Sequence, residues 1–181
     1  MQPDRLRKIV LDAPEQRLLC VGDVMLDTYI YGDVERMSPE APVPVLNYSE
    51  AVQMPGGAAN TARNLAALGA RTRLLSVIGD DAAGAVLTDL LAEAEHIDAH
   101  LLVQEASRTT EKTRYLSSGQ QLLRLDRDAD LAAGSERLIE LHEMLDEAAE
   151  GANIVLVSDY NKGVISPDVI LAALQLSLIH I

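Results

Sequence analysis

Phenylalanine and tryptophan are absent from the 181 residues, and tyrosine occurs only five times. A core built from this chain is therefore aliphatic, made of Leu, Val, Ile and Ala, and stacking platforms for nucleic-acid bases are scarce. The single cysteine, Cys20, excludes a disulfide framework and a thiolate metal site, and favours a reducing, cytoplasmic setting. Positive charge is also short: 15 Lys and Arg stand against 28 Asp and Glu, a net charge of −13. No basic run survives against that acid, so a nucleic-acid partner is not expected. A small anionic ligand remains compatible, because a few N–H groups and one arginine make a locally positive pocket. No run of about 18 consecutive apolar residues occurs, which removes a helical membrane span and a membrane partner. The start, MQPDRLRKIVLDAPEQ, has no apolar stretch of signal-peptide character.

What is present is a globular composition, 48% hydrophobic and 24% charged, in a length that suits one substantial domain. After an amphipathic opening that ends at Pro14, Leu18 to Val24 form a short apolar run. Its interruption by Gly22 and Asp23, followed by Met25, Leu26 and Asp27, reads as a buried strand carrying polar groups into a cleft. Residues 28–34 and 43–48 read as extended pieces, and Pro39, Pro42 and Pro44 put the second at an edge or in a small separate sheet. PGGAANTARNLAALGA opens on two glycines, sets Ala58, Ala62, Leu65 and Ala66 at helical spacing, and ends near Gly69, suited to a helix stop. A strand over 73–78 runs into GDDAAGAVLTDLLAEAE, where Asp80 is expected to cap a helix that buries Ala83, Val86, Leu87, Leu90, Leu91 and Ala94.

Residues 97–103 read as a further strand, and 109–116 with 121–126 as a hairpin around SSGQ. A helix from about Ser135 to Ala149 places Leu138, Leu141, Leu145 and Ala148 on one stripe. NIVLVSDY then reads as the strongest strand, with Ser166-Pro167 as cap and first residue of the last helix. This alternation predicts an α/β body over a largely parallel sheet, interrupted by two excursions, roughly 28–54 and 109–127. The excursions are expected to pair with each other, with no helix behind them. The closing LQLSLIHI turns almost wholly apolar and reads as a truncated or non-native end.

Chemistry has several candidate places. Gly56 and Gly57 precede a helix containing Asn60, Arg63 and Asn64, so free N–H groups there can hold hydroxyls or an anion; a plain tight turn is the alternative. Asp23 and Asp27 bracket the end of the first strand, where a carboxylate accepts sugar hydroxyls, unless Asp27 only caps a turn. Asp159, Asn161 and Lys162 follow the last strand, either as contacts to phosphates or as a polar loop. Arg124 or Arg127 answers a phosphate or lies on a solvated hairpin face. Asp80 and Asp81 read as helix N-terminal acids. His96, His100, His142 and His180 are scattered and make no metal motif. Neither GxGxxG nor GxxxxGK[ST] occurs, which weakens dinucleotide-dependent oxidoreductase and P-loop readings.

GGAAN at 56–60 and GDDAAG at 79–84 resemble the amino-terminal signature region of the ribokinase-like (PfkB) carbohydrate kinases. GDVMLDTYIYGD (22–33), SPEAPVPV (38–45), PGGAANTARNLAALGA (55–70), QQLLRLD (120–126) and SDYNKG (158–163) are similar, within that family, to the D-glycero-β-D-manno-heptose-7-phosphate kinases, often fused to an adenylyltransferase. The resemblance covers about residues 5–175 and implies an αβα sandwich with a small β-sheet lid, formed by 28–54 and 109–127, that also makes a homodimer contact. It implies that Asp27, Gly56, Gly57 and Asn60 bind the sugar, and Arg124 is expected beside them as a substrate-binding residue for the phosphate. Lys162 is implied to approach the phosphates, and Asp159 and Asn161 are expected with it in the phosphate or nucleotide vicinity.

The implied activity is ATP- and Mg²⁺-dependent phosphorylation of the anomeric hydroxyl of heptose 7-phosphate, on the way to ADP-heptose for lipopolysaccharide core. The family's GAGD-type signature, which supplies the general base and an anion hole, does not occur in these 181 residues. The expectation is therefore a kinase domain truncated on its carboxyl-terminal side and inactive alone, with no catalytic base and no metal ligand of its own. The alternative is a non-catalytic sugar-phosphate-binding or dimerisation module of the same fold.

Overall fold

The computed structural model describes residues 3–129, 131 and 136–178. Helix α1 (Pro3–Asp12) ends in a 3-10 turn over Ala13–Glu15, and β1 (Arg17–Gly22) follows. The chain then changes sheet at Asp23. β2 (Val24–Met37) and β3 (Pro44–Gly57) form a long antiparallel ribbon, and α2 (Ala58–Ala67) starts directly from Gly57. Next come β4 (Arg71–Gly79), α3 (Ala82–Ala92), β5 (Ile97–Gln104), β6 (Glu111–Ser117), β7 (Gln120–Arg127), α4 (Glu136–Ala149), β8 (Ile154–Ser158) and α5 (Pro167–Leu178).

These strands make two four-stranded sheets. The body sheet, ordered β5-β4-β1-β8, is parallel throughout, and the accessory sheet is ordered β3-β2-β6-β7. Side chains alternate across a strand, so β1 and β4 feed two apolar layers at once. Leu19, Val21, Leu75 and Val77 pack on Leu141 and Leu145 of α4 and Val169 of α5. Cys20, Leu74 and Ile78 pack on Ala58 and Ala62 of α2 and Leu87 and Leu91 of α3. Small alanines on α2 let that helix lie close to the sheet, where the aliphatic composition leaves no large ring to accommodate. α2 ends in a Schellman motif: Ala70 donates to the Leu65 carbonyl and Gly69, at φ +91°, to that of Ala66.

The two excursions do pair, through parallel β2 and β6, but the first is longer than the apolar pattern indicated and the second starts two residues later. The first runs from Val24 to Gly57, because the glycine turn finishes a strand before it starts a helix. The second begins at Glu111, with Thr109 and Thr110 acting as a buried joint. β3 lies at an edge, as its flanking prolines require. Helices do stand behind the excursions at their base: α2 and α3 both contact β2 and β3, where Leu26 and Pro55 are buried. The hairpin turn is Ser118-Gly119, both at positive φ, as a two-residue connection between twisted strands demands.

Asp81, rather than Asp80, caps α3, its carboxylate accepting from the Gly84 N–H at 2.8 Å. Leu65, Val86, Leu90 and Ala94 are half-buried rather than core. β8 is not the strongest strand but a five-residue edge, with Ile154 44% and Val157 39% exposed. Ser166 does cap α5, its Oγ accepting from Val169 N–H. The expected helix start at Ser135, the side chain of Leu138 and the last residues, 179–181 with His180 among them, lie outside what the structure describes.

Candidate functional site

The parallel strands present their carboxyl ends along one edge, the edge where open α/β sheets take ligands. β1 ends there at Gly22. A Cβ on that residue would sit 2.1 Å from the Ser158 carbonyl oxygen, so only glycine lets β8 close against β1. Ser76 Oγ donates to the Gly22 carbonyl at 2.6 Å from the other side. Asp23 follows, fully buried, and its carboxylate is consumed by the protein itself. Oδ2 accepts from the main-chain N–H of Tyr160 (2.7 Å) and Lys162 (3.1 Å), and Oδ1 from Val164 (3.0 Å). Asp23 is thus no acceptor for sugar hydroxyls, since its lone pairs already satisfy the loop after β8.

Asp27, four residues on, is placed differently. Its Oδ1 accepts a 2.6 Å charge-assisted hydrogen bond from Arg114 Nη1, and both side chains are largely enclosed, 15% and 19% exposed. Asp27 Oδ2 lies beside Gly56, where an added Cβ would come within 2.3 Å. Among the described residues nothing donates to that oxygen. Gly57 adopts φ +60°, and a Cβ there would meet the Asp23 carbonyl oxygen at 2.3 Å. The two glycines therefore serve two close approaches, one to each aspartate. Asn60 is exposed on the first turn of α2, and Asn64 shares its exposed face.

Sheet register explains what stands beside Asp27. Asp27 aligns with Lys112 of β6, which aligns with Asp126 of β7; Tyr29 aligns with Arg114, which aligns with Arg124. One face of the accessory sheet thus carries Asp27, Lys112, Arg114, Arg124 and Asp126. Arg114 lies 5.0 Å over the Tyr29 ring. Burial alone would lower the Arg114 pKa, but the Asp27 hydrogen bond and charge, then Tyr29 and Asp126, hold it above its ordinary value. Arg124 does not touch Asp27; its Nε donates to Asp126 Oδ1 at 2.8 Å. Arg127 pairs with Glu111 at 3.4 Å and is mostly exposed.

Asp159 and Asn161 form a local turn, Asn161 N–H donating to Asp159 Oδ1 at 2.7 Å, and Lys162 Nζ binds Asp128 at 2.7 Å. A cavity of about 320 Å³ lies between this loop and Asp128, Ala129 and Leu131. Arg114 and Lys112 were not among the residues singled out from the sequence. Their Lys-x-Arg alternation puts both on one strand face, but only the pairing of β6 with β2 shows that this is the face of Asp27. Cys20 is no nucleophile: burial pushes its thiol up to about 12. Among the described residues no three His, Cys, Asp or Glu side chains converge as a metal cage. No helix among them is long and apolar enough to cross a membrane.

The chain is 46% identical over 172 residues to the bifunctional protein HldE of Caulobacter sp. (strain K31), covering 94% of this chain and 34% of that one. It is 45% identical over 149 residues to the bifunctional protein HldE of Paramagnetospirillum magneticum, covering 82% and 30%. It therefore spans about a third of the length of these relatives. Among solved structures, the phosphofructokinase-2 of Escherichia coli in complex with fructose-6-phosphate superposes with a TM-score of 0.68 at 21% identity, over 88% of this chain and 51% of that one. A carbohydrate kinase from Agrobacterium tumefaciens gives 0.65 at 20% identity, over 91% and 50%. The α/β architecture is thus the ribokinase-like one, a central sheet flanked by helices with an accessory sheet beside it. The pfkB family carbohydrate kinase model matches residues 15–176, nearly the whole of both sheets and their helices, and the chain belongs to that family.

Proposed function

We propose that this chain is the sugar-binding part of a kinase that phosphorylates D-glycero-β-D-manno-heptose 7-phosphate at its anomeric hydroxyl, giving the 1,7-bisphosphate at the expense of ATP. The observation that carries the reading is the open Asp27 Oδ2 beside the side-chain-free Gly56, with Oδ1 fixed by Arg114. A fixed carboxylate oxygen accepts sugar hydroxyls, the glycine leaves room for the ring, and Asn60 adds a donor and an acceptor at the helix start. Lys112, Arg114 and Arg124 on the same sheet face supply positive charge for a sugar phosphate, within a chain of net charge −13. On this reading Asp159, Asn161 and Lys162, in the loop held by the Asp23 carboxylate, are the opposite wall, toward the nucleotide phosphates. The choice of heptose rests on the motif strings and on relatives named bifunctional protein HldE.

ATP and Mg²⁺ belong to the proposed reaction. Phosphoryl transfer requires a base and donors for the transferring group, and the GAGD string that supplies them in the family is missing from this sequence. A second reading, favoured by the exposed leucines of the accessory sheet, is a sugar-phosphate-binding or dimerisation module of the same fold. Homodimerisation would run through the accessory sheet, where Leu123 and Leu125 are exposed. Calorimetry of heptose 7-phosphate on the purified chain tests the binding site. Asp27→Ala should weaken it by about tenfold or more, the loss expected when an enclosed charged partner is truncated. Unchanged affinity removes Asp27 from the site. Substrate-dependent ADP release by a chimaera of this chain with the remainder of the Caulobacter relative supports the kinase; binding with no release supports the module.

A further inference from the structure

Among the described residues Asp23 is the only fully buried carboxylate. A buried carboxyl group is tolerated where hydrogen bonds satisfy it, and among the described residues no cation pairs with this one. Three main-chain N–H groups do, from Tyr160, Lys162 and Val164. The main chain of Asp23 grips two further segments: its N–H donates to the Ser158 carbonyl at 3.1 Å, and its carbonyl accepts from the Ala58 N–H at 2.9 Å. The residue thus stands between the end of β8, the loop after it and the first turn of α2. Gly57 owes its lack of a side chain to the same contact, since a Cβ there would strike the Asp23 carbonyl oxygen.

We propose that Asp23 is a positioning residue of the candidate site, setting the glycine turn Gly56-Gly57 against the loop that carries Asn161 and Lys162. It touches no substrate. This rests on the reading of the two walls as one sugar-phosphate cleft. A carboxylate suits the task because it only accepts, and three N–H groups converge on it. Asparagine at this position offers one accepting oxygen and one donating NH₂. Whichever way it turns, the NH₂ faces at least one of the three N–H groups, so the loop loosens while the aliphatic layers stay untouched.

Amide hydrogen exchange on the full 181-residue chain and on Asp23→Asn tests this. Exchange at Tyr160, Lys162 and Val164 should accelerate at least about tenfold more than at Leu74 and Leu75 in β4, the mark of local rather than global opening. Uniform acceleration at all five positions, or none at the loop, overturns the proposal. Should the variant not fold, the native chain still decides: scalar couplings across the hydrogen bonds from the three amide nitrogens to Asp23 Cγ support it, and their absence overturns it. Added heptose 7-phosphate separates the two claims. No response anywhere, with the couplings and exchange pattern intact, defeats the sugar site alone. A loop that responds alike in native and variant chains defeats the positioning role.

Discussion

In the body sheet, β1 buries every residue from Leu18 to Gly22, whereas in the accessory sheet every residue of β7, from Gln120 to Arg127, is exposed. Both sheets have four strands and full ladders, so backbone hydrogen bonding does not separate them. What differs is the stabilising term. The body is held by aliphatic side chains packed on helices from both faces. The accessory sheet is held mainly by its ladders and cross-strand ion pairs, such as Lys112 with Asp126 and Arg127 with Glu111. A sheet freed from core packing can spend its side chains on recognition, and here one face collects three cations around Asp27.

Truncating equivalent leucines should break the symmetry most. Leu19→Ala, in the fully buried layer against α4, is expected to cost about 2–5 kcal/mol by urea denaturation. Leu123→Ala, 59% exposed on β7, should stay within about 0.5 kcal/mol. A comparable loss at Leu123 that grows with protein concentration would show a second copy covering that face, and the comparison would then be between a core and an interface.

The second contrast lies within the accessory sheet. Arg114→Met leaves the Asp27 carboxylate, 15% exposed, without its cation and removes the contact with Tyr29. The expected loss is about 1–3 kcal/mol, the cost of an enclosed acceptor stripped of its partner. Arg127→Met should cost less than about 1 kcal/mol, because that guanidinium is 59% exposed and water replaces its pair. Equal losses would mean that the Asp27 pair is no better enclosed in solution than the Glu111 pair.

The body was the legible part of the sequence. Helical spacing at Ala58, Ala62 and Ala66 and the apolar runs of β1 and β4 come from a period that local sequence carries. The excursions were legible as extended segments, and their mutual pairing followed from the lack of alternating helices. Boundaries failed where one residue serves two elements: Gly57 ends β3 and begins α2, and Asp23 stands between two sheets. In the candidate site, the motifs name Asp27 and the glycine turn, and the structure brings the two side by side. They do not name Arg114, because its importance is a matter of register between strands separated by most of the body. Asp23 and Asp27 share residue type and neighbourhood, and only burial and hydrogen-bond partners give one to the loop and leave the other an open oxygen.

A third, small contrast tests the joint between the two sheets. Asp81 caps α3 and also accepts from Thr109 N–H at 2.9 Å and Thr109 Oγ at 2.8 Å, directly before β6. Burial by itself would raise its pKa. The hydrogen bonds from Gly84 and Thr109, with the charge of Arg108, outweigh burial and hold the carboxyl below its ordinary value of 3.8. A depressed folded-state pKa contributes stability that is fully present above the unfolded value and lost as pH falls through the folded one. The stability gap between the native chain and Asp81→Asn should therefore be constant between about pH 7 and 5 and close as acid passes below the ordinary carboxylate range. Asparagine is itself a good helix cap and the site is partly open to solvent, so the gap is expected to be under about 1 kcal/mol. Urea midpoints measured across that range read it, and a gap that widens toward low pH would contradict the sign. If it closes together with faster exchange at Thr109, the acid-sensitive element is the joint, while the body sheet and the accessory sheet keep their separate sources of stability.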